Sequence, residues 1–310
     1  MTHANTASLS SSLKVWLAAA RPRTLALAVA GTGLGLFLAA ADGSFHGLLA
    51  ALTVLTAVLL QVLSNLANDY GDSLHGADSK QRVGPRRAVQ SGLISRRTMR
   101  QAIAGVVTLT IISGLAMVWL AFGAQAILLA LLFLLLGAAA IWAAIAYTAS
   151  SRPYGYAGLG DLFVFIFFGL VAVAGSYFLQ RQALPLDVLL PATSCGLFAV
   201  GVLNVNNIRD RESDRQAGKF SIPVRVGLQR ARLYHWVLLL GGLGAALLYV
   251  ALNFRSPWQL LFLLSAPLFV ANGAAVARRS DAALLDPMLK QLSMSTLLFV
   301  LTFGLGQLLG

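Results

Sequence analysis

Residues 47–72 read GLLAALTVLTAVLLQVLSNLANDYGD. The first part of this stretch is long and apolar enough to cross a bilayer as a helix, which takes about 20 such residues. No charge interrupts it before Asp69. It then turns polar within a few positions, with Asn68, Asp69 and Asp72, and Asp78 follows in the loop. If the helix continues to Asp72, Asn68 and Asp72 are i and i+4 and share one face. An amide oxygen and a carboxylate then stand together at a membrane surface. Oxygen ligands of this kind suit Mg²⁺, which binds through one or two carboxylates and a substrate's phosphates.

A second stretch answers the first. Residues 204–215 read NVNNIRDRESDR and also end an apolar run. Asn207, Asp210 and Asp214 fall at i, i+3 and i+7, one helical stripe. With Asp78 counted, the two stretches carry six of the chain's 11 acidic residues. Two acidic helix ends facing each other, each holding a metal, would leave room for a diphosphate between them.

The composition fixes the setting. Apolar residues make up 58% and charged residues 11%, against about 25% charged in a soluble domain. Apolar runs recur at roughly 24–41, 47–69, 99–121, 124–147, 158–179, 187–207, 230–252, 257–278 and 290–309. The pattern predicts an all-α, polytopic membrane bundle of about nine transmembrane helices, one domain over residues 1–310. A β-barrel would alternate in short segments instead. Residues 1–12, rich in Ser and Thr, are expected to be without structure. The run after Lys14, Arg21 and Arg23 lacks a convincing cleavage site and reads as an uncleaved first span. A lone cysteine, Cys195, rules out intramolecular disulfides and a thiolate metal site.

The net charge of +12 matters through its distribution, and it points to the bilayer rather than to nucleic acid. All basic residues but Arg181 and Arg255 fall in the N-terminal segment or near the loops after the even-numbered spans. The positive-inside rule therefore predicts a cytoplasmic N-terminus, cytoplasmic acidic loops and an external C-terminus. Topology alone needs no carboxylates among these bases. Acid for a metal and base for phosphate oxygens account for both, with Arg87 and Lys219 the foremost bases. The spacing of the two acidic loops hints at a repeated half-bundle with a site between the halves. A third polar segment, residues 147–161, carries Tyr147, Tyr154 and Tyr156, which form an interfacial belt or line a pocket able to shelter a cation. Small residues in the first run, Gly31, Gly33 and Gly35, suit close helix packing.

These residues carry a resemblance. Asn68-Asp69-x-x-Asp72 followed by Asp78, with Asn207-x-x-Asp210-x-x-x-Asp214 downstream, resembles the UbiA superfamily of intramembrane prenyltransferases. The segments Ala20–Thr24, Gln61–Asp72, Arg152–Tyr156 and Gly218-Lys219 are similar to its branch acting on 1,4-dihydroxy-2-naphthoate in menaquinone synthesis. The likeness runs from about Trp16 to the end, departing at Ala26 and over Phe220–Pro223, where relatives carry a proline and a more polar run. It implies a helical bundle around a central cavity, in a bacterial inner membrane. It implies a polyprenyl diphosphate and 1,4-dihydroxy-2-naphthoate as substrates, joined with loss of diphosphate and CO₂. It implies Mg²⁺ on Asn68, Asp69, Asp72, Asp78, Asn207, Asp210 and Asp214, with Asp72, Asp210, Asp214 and Lys219 central to catalysis. Arg87, Arg152, Lys219 and Arg225 would meet the diphosphate, and Tyr147 and Tyr154 the aromatic acceptor. The alternatives are another acceptor, 4-hydroxybenzoate or homogentisate, and a cation-coupled transporter. Acids at helix ends rather than at mid-span argue against transport.

Overall fold

The computed structural model describes residues 3–75, 87–279 and 281–310. Among them, nine helical segments are long and apolar enough to cross a membrane, and no strand occurs. In chain order the spans are Pro22–Ala41, Gly47–His75, Arg96–Phe122, Ile127–Ala146, Gly160–Arg181, Leu186–Arg209, Leu228–Leu252, Pro257–Arg278 and Ala282–Leu309. They follow the nine expected runs to within a few residues, except that span two continues to His75 and span nine begins early, with a short 3₁₀ turn. The N-terminal residues differ from expectation. A helix, His3–Ala20, runs through most of the segment expected to be without structure. Its residues include no Gly or Pro and many Ala and Leu, which favour a helix.

Local chemistry sets the breaks. Pro22 opens span one, and Arg21 before it takes a left-handed conformation with φ 49°. That conformation is uncommon for a residue with a side chain. Ser95 caps span three by accepting from the Thr98 amide. Ser256 and Gln259 form a reciprocal capping box ahead of span eight.

Span one is the hub. It packs against spans two, five and nine, and span six packs against five, seven and nine. Two of the three glycines expected to allow close packing do so. A Cβ at Gly31 would lie 2.6 Å from the Phe168 carbonyl oxygen, and one at Gly35 2.1 Å from Ser176 Oγ. Both contacts are to span five, which is π-helical over Phe165–Ala174. Gly33 faces span nine more loosely. On the far side, Phe198 stacks on Phe269 at 4.2 Å and meets Phe299 edge-on at 5.1 Å. This dry aromatic core joins spans six, eight and nine. Leucines such as Leu128 and Leu186 stay exposed, as a lipid-facing surface allows. Span two, at 29 residues, is about 43 Å long at 1.5 Å per residue. It outreaches a hydrocarbon layer of about 30 Å, so its last turns carry Asn68, Asp69 and Asp72 beyond the apolar slab.

Candidate active site

A cavity of about 620 Å³ lies inside the bundle. One end is bordered by Asn68, Asp69, Asp72 and Arg87 on one side and by Asn206, Arg209, Asp210, Asp214 and Lys219 on the other. Arg21 and Arg23 close the rim from span one. Below, the walls turn apolar, with Met117, Phe133, Leu136, Phe167, Phe168 and Leu179. The two acidic helix ends therefore open on one amphipathic chamber, charged at its mouth and greasy in its depth.

The first end is held by loops. Asp69 is buried and accepts from the Ala88 and Val89 amides at 3.0 and 3.2 Å. Its oxygens fasten the polar loop to the helix, so the residue reads as a support more than as a metal ligand. Asp72 is buried one turn on, in an ion pair with Arg87 Nη2 at 3.1 Å. The Tyr156 hydroxyl points at its other oxygen from 3.5 Å. Thr148 donates to Asn68 Oδ1 at 3.0 Å and to the Ala67 carbonyl. That docking needs Gly71, where a Cβ would sit 2.5 Å from the Thr148 carbonyl carbon.

The second end is held by buried cations. Span six stops at Arg209, and Asp210 bridges to the short helix Arg211–Gln216. Arg209 grips both oxygens of its neighbour, Nε to Oδ1 and Nη2 to Oδ2, each at 2.7 Å. Lys219 Nζ stands 3.2 Å from Asp214 Oδ2, an oxygen that is buried and lacks a well-aligned hydrogen bond. Burial pushes the Asp214 carboxyl above its usual range, and Lys219 opposes the shift. Burial works to lower the Lys219 pKa, but the carboxylates of Asp214 first and then Asp72 and Asp210 outweigh it, so the ammonium stays charged.

The aromatic segment closes the side of the chamber. Tyr147 and Tyr154 both line it and meet edge to face at 5.4 Å. Tyr154 stacks on Phe163 at 4.1 Å and donates to the Ala143 carbonyl at 2.9 Å. Burial raises both phenol pKa values, so both rings stay neutral.

Some expected residues lie elsewhere. Asn207 is buried but does not border the cavity; its neighbour Asn206 does. One residue along a helix is a rotation of about 100°, and the cavity face of span six is the one carrying Asn206 and Asp210. That pair repeats the i, i+4 spacing of Asn68 and Asp72, a signal that could have identified it. Arg225 is exposed and committed to the Phe220 and Ala157 carbonyls at 2.9 and 2.6 Å. It pins two loops together instead of facing the cavity. Arg152 is exposed and also stands off the lining. Asp78 falls outside the described residues. Missed from sequence were Arg209, hidden beside Asp210, and Asn65, which donates to the Ala20 carbonyl and to Thr24 and so ties span two to the start of span one.

The donor set fits a hard divalent cation. Asn68, Asp72, Asn206, Asp210 and Asp214 present only oxygen, the carboxylates are buried, and Asp214 Oδ2 lacks a well-aligned donor. Among the described residues no three acidic or imidazole groups close into a preformed cage.

Residues 26–301 match the model of the UbiA prenyltransferase family. The chain is 46% identical to the 1,4-dihydroxy-2-naphthoate octaprenyltransferase of Escherichia coli K12 over 94% of each protein. It is 43% identical to the enzyme of that name from Haemophilus influenzae, over 96% of this chain and 97% of the relative. Among solved structures, a UbiA homolog from Aeropyrum pernix superposes with a TM-score of 0.67 at 17% identity, covering 91% of this chain and 97% of that one. A UbiA homolog from Archaeoglobus fulgidus bound to GPP and Mg²⁺ gives 0.59 at 16%, covering 96% of this chain and all of the other.

Proposed function

The chain belongs to the UbiA prenyltransferase family, and from that premise we propose that it transfers a polyprenyl group from polyprenyl diphosphate to 1,4-dihydroxy-2-naphthoate. Diphosphate and CO₂ leave, and a demethylmenaquinol for menaquinone synthesis is the product. The observation that carries this reading is the convergence of both acidic stretches, with their cations, on the charged mouth of one apolar chamber. Relatives at 46% and 43% identity bearing the naphthoate prenyltransferase name support the choice of acceptor.

The chain's own residues divide the work. Asn68 and Asp72 on one side, and Asp210 and Asp214 with Asn206 on the other, would hold Mg²⁺. When bound, the metal neutralises the diphosphate oxygens and makes them a better leaving group. Arg87 and Lys219 stand beside Asp72 and Asp214 and offer charge-assisted donors to the same diphosphate. The prenyl tail lies along the apolar walls. As the allylic C–O bond breaks, the electron pair leaves with diphosphate and an allylic cation remains. Tyr147 and Tyr154 present electron-rich faces to that cation and flat contact to the naphthoate. The ring carbon bearing the carboxylate attacks, and CO₂ departs to restore the aromatic ring. Apolar walls around the allylic end would keep water from quenching the cation.

We place the protein in the inner membrane with its N-terminus and acidic mouth in the cytoplasm. The one-sided distribution of Lys and Arg supports this orientation. The experiment is product formation in liposomes with 1,4-dihydroxy-2-naphthoate, a long prenyl diphosphate and Mg²⁺. A prenylated, decarboxylated naphthoquinol is expected, abolished by EDTA and cut about 10²–10³-fold in Asp72→Ala and in Asp214→Ala. Product from 4-hydroxybenzoate alone would keep the site and discard the acceptor.

A further inference from the structure

The second acidic end is tied to an acid that neither stretch contains. Asp286 opens the helix Asp286–Leu309 of span nine, 76 positions beyond Asp210 in sequence. Its carboxylate bridges two guanidiniums. Oδ1 accepts from Arg209 Nη1 at 2.6 Å, and Oδ2 accepts from Arg23 Nη1 at 2.9 Å. Arg209 is almost wholly buried, its side chain 2% exposed. Its Nε and Nη2 donate to Asp210, and Nη2 also donates to Asn206 Oδ1 at 2.9 Å. One planar guanidinium thus holds both cavity-facing oxygen ligands of span six, and Asp286 holds the guanidinium. The carboxylate lies at a helix N-terminus, where the backbone dipole favours negative charge.

We propose that Asp286 is a positioning residue for the metal-binding carboxylate Asp210, acting through Arg209. This rests on the reading of Asp210 as a metal ligand given above. The Arg209 fork donates once to each Asp210 oxygen. A carboxylate oxygen carries two lone-pair sites, so a cation can share Asp210 with Arg209, and the fork sets the direction in which the carboxylate faces that cation. Asp286 holds the outer edge of the guanidinium and so fixes the fork that aims Asp210. With an uncharged side chain at position 286 that outer hold weakens, and Asp210 is presented to the metal less firmly. Ligands of a metal site are commonly oriented in this indirect way, and loss of such a support weakens metal affinity by about 10–100-fold.

The test uses the full chain in detergent and reads Mn²⁺ binding from the electron paramagnetic resonance signal of the free ion, with no substrate present. Asp286→Asn keeps the size and removes the charge. It is expected to weaken Mn²⁺ binding by roughly tenfold and to raise the Mg²⁺ concentration for half-maximal turnover by a similar factor. At saturating Mg²⁺ its kcat should stay within about threefold of the native value. Asp286→Glu, which restores the charge, should recover most of the affinity. Asp210→Ala, measured alongside, separates the two readings. If Asp210→Ala loses Mn²⁺ while Asp286→Asn binds it like the native protein, this inference falls and the metal site stands. If neither variant changes Mn²⁺ affinity, the metal assignment of Asp210 falls with it. A lower Tm and lower kcat in Asp286→Asn at unchanged metal affinity would make Asp286 a mere tie between spans one, six and nine. Failure of both Asp286 variants to fold, even in the cold, would lead to that same conclusion.

Discussion

At the end of span two, Asp72 finds its cation in Arg87, fifteen residues on in a loop. At the end of span six, Asp210 finds it in Arg209, its immediate neighbour, itself locked to Asp286. The first mouth is assembled by loop closure, since Asp69 draws in two loop amides and Arg87 arrives with them. The second is assembled by the helix bundle, through a guanidinium that is buried among three spans. Similar Asn and Asp spacings thus sit on different supports, two loop amides and a loop arginine at one end and a buried guanidinium shared with span nine at the other.

This contrast can be broken in order of expected effect. Arg209→Ala should be the most damaging to the fold, losing about 3–5 kcal/mol because it strands buried Asp210 beside Asp286. Arg87→Ala should cost clearly less, and unfolding of both variants in a denaturant series measures the difference. Equal losses would erase the distinction between the two mouths. Lys219→Met should lower kcat by about 10²-fold, the loss of one preorganised charge at the leaving group. Its pH behaviour adds a check. The pKa of Lys219 is raised above the ordinary 10.5, so its stabilising charge is fully present below that value and is lost only as pH rises through the higher one. The native protein should therefore show no melting-temperature loss from this group between about pH 8 and pH 10.

Asp69→Asn probes the loop-built side. One of the two backbone amides it receives would face an amide NH₂, at a cost of about 1–3 kcal/mol. The KM for prenyl diphosphate should rise while the half-saturating Mg²⁺ holds. A shift in the metal requirement alone would return Asp69 to the ligand set. Arg152→Ala should change least, within about 0.5 kcal/mol in stability and with native turnover, because the side chain stands outside the chamber. A large loss of turnover there would mean the loop moves Arg152 inward during the reaction.

Much of this molecule is legible in its sequence. An apolar run must become a helix in lipid, because only a helix satisfies its own backbone polar groups there. The nine spans follow from that constraint, and charge asymmetry across loops supplies the expected orientation. The i, i+4 placement of Asn68 and Asp72 needs only a continuing helix, and the cavity borders both. Asn207 is different. The stripe i, i+3, i+7 puts it with Asp210 and Asp214, yet the cavity borders its neighbour Asn206. The break at Asp210, with φ −92° and ψ 7°, interrupts the regular helix on which the full stripe to Asp214 depends.

Other features belong to tertiary structure alone. Arg152, Arg225 and Arg87 look alike as loop arginines among phosphate-binding candidates. Their partners separate them, backbone carbonyls for Arg225 and a buried carboxylate for Arg87. Asp286 carries no motif at all, and it reaches the site only because span nine packs beside spans one and six. Hydrophobicity and periodicity are local properties, and they suffice to show that this chain crosses a membrane and brings acids and bases to helix ends. Which side chains face one another across the chamber was decided by packing between spans far apart in the chain, and a buried charge takes whichever partner that packing brings within reach.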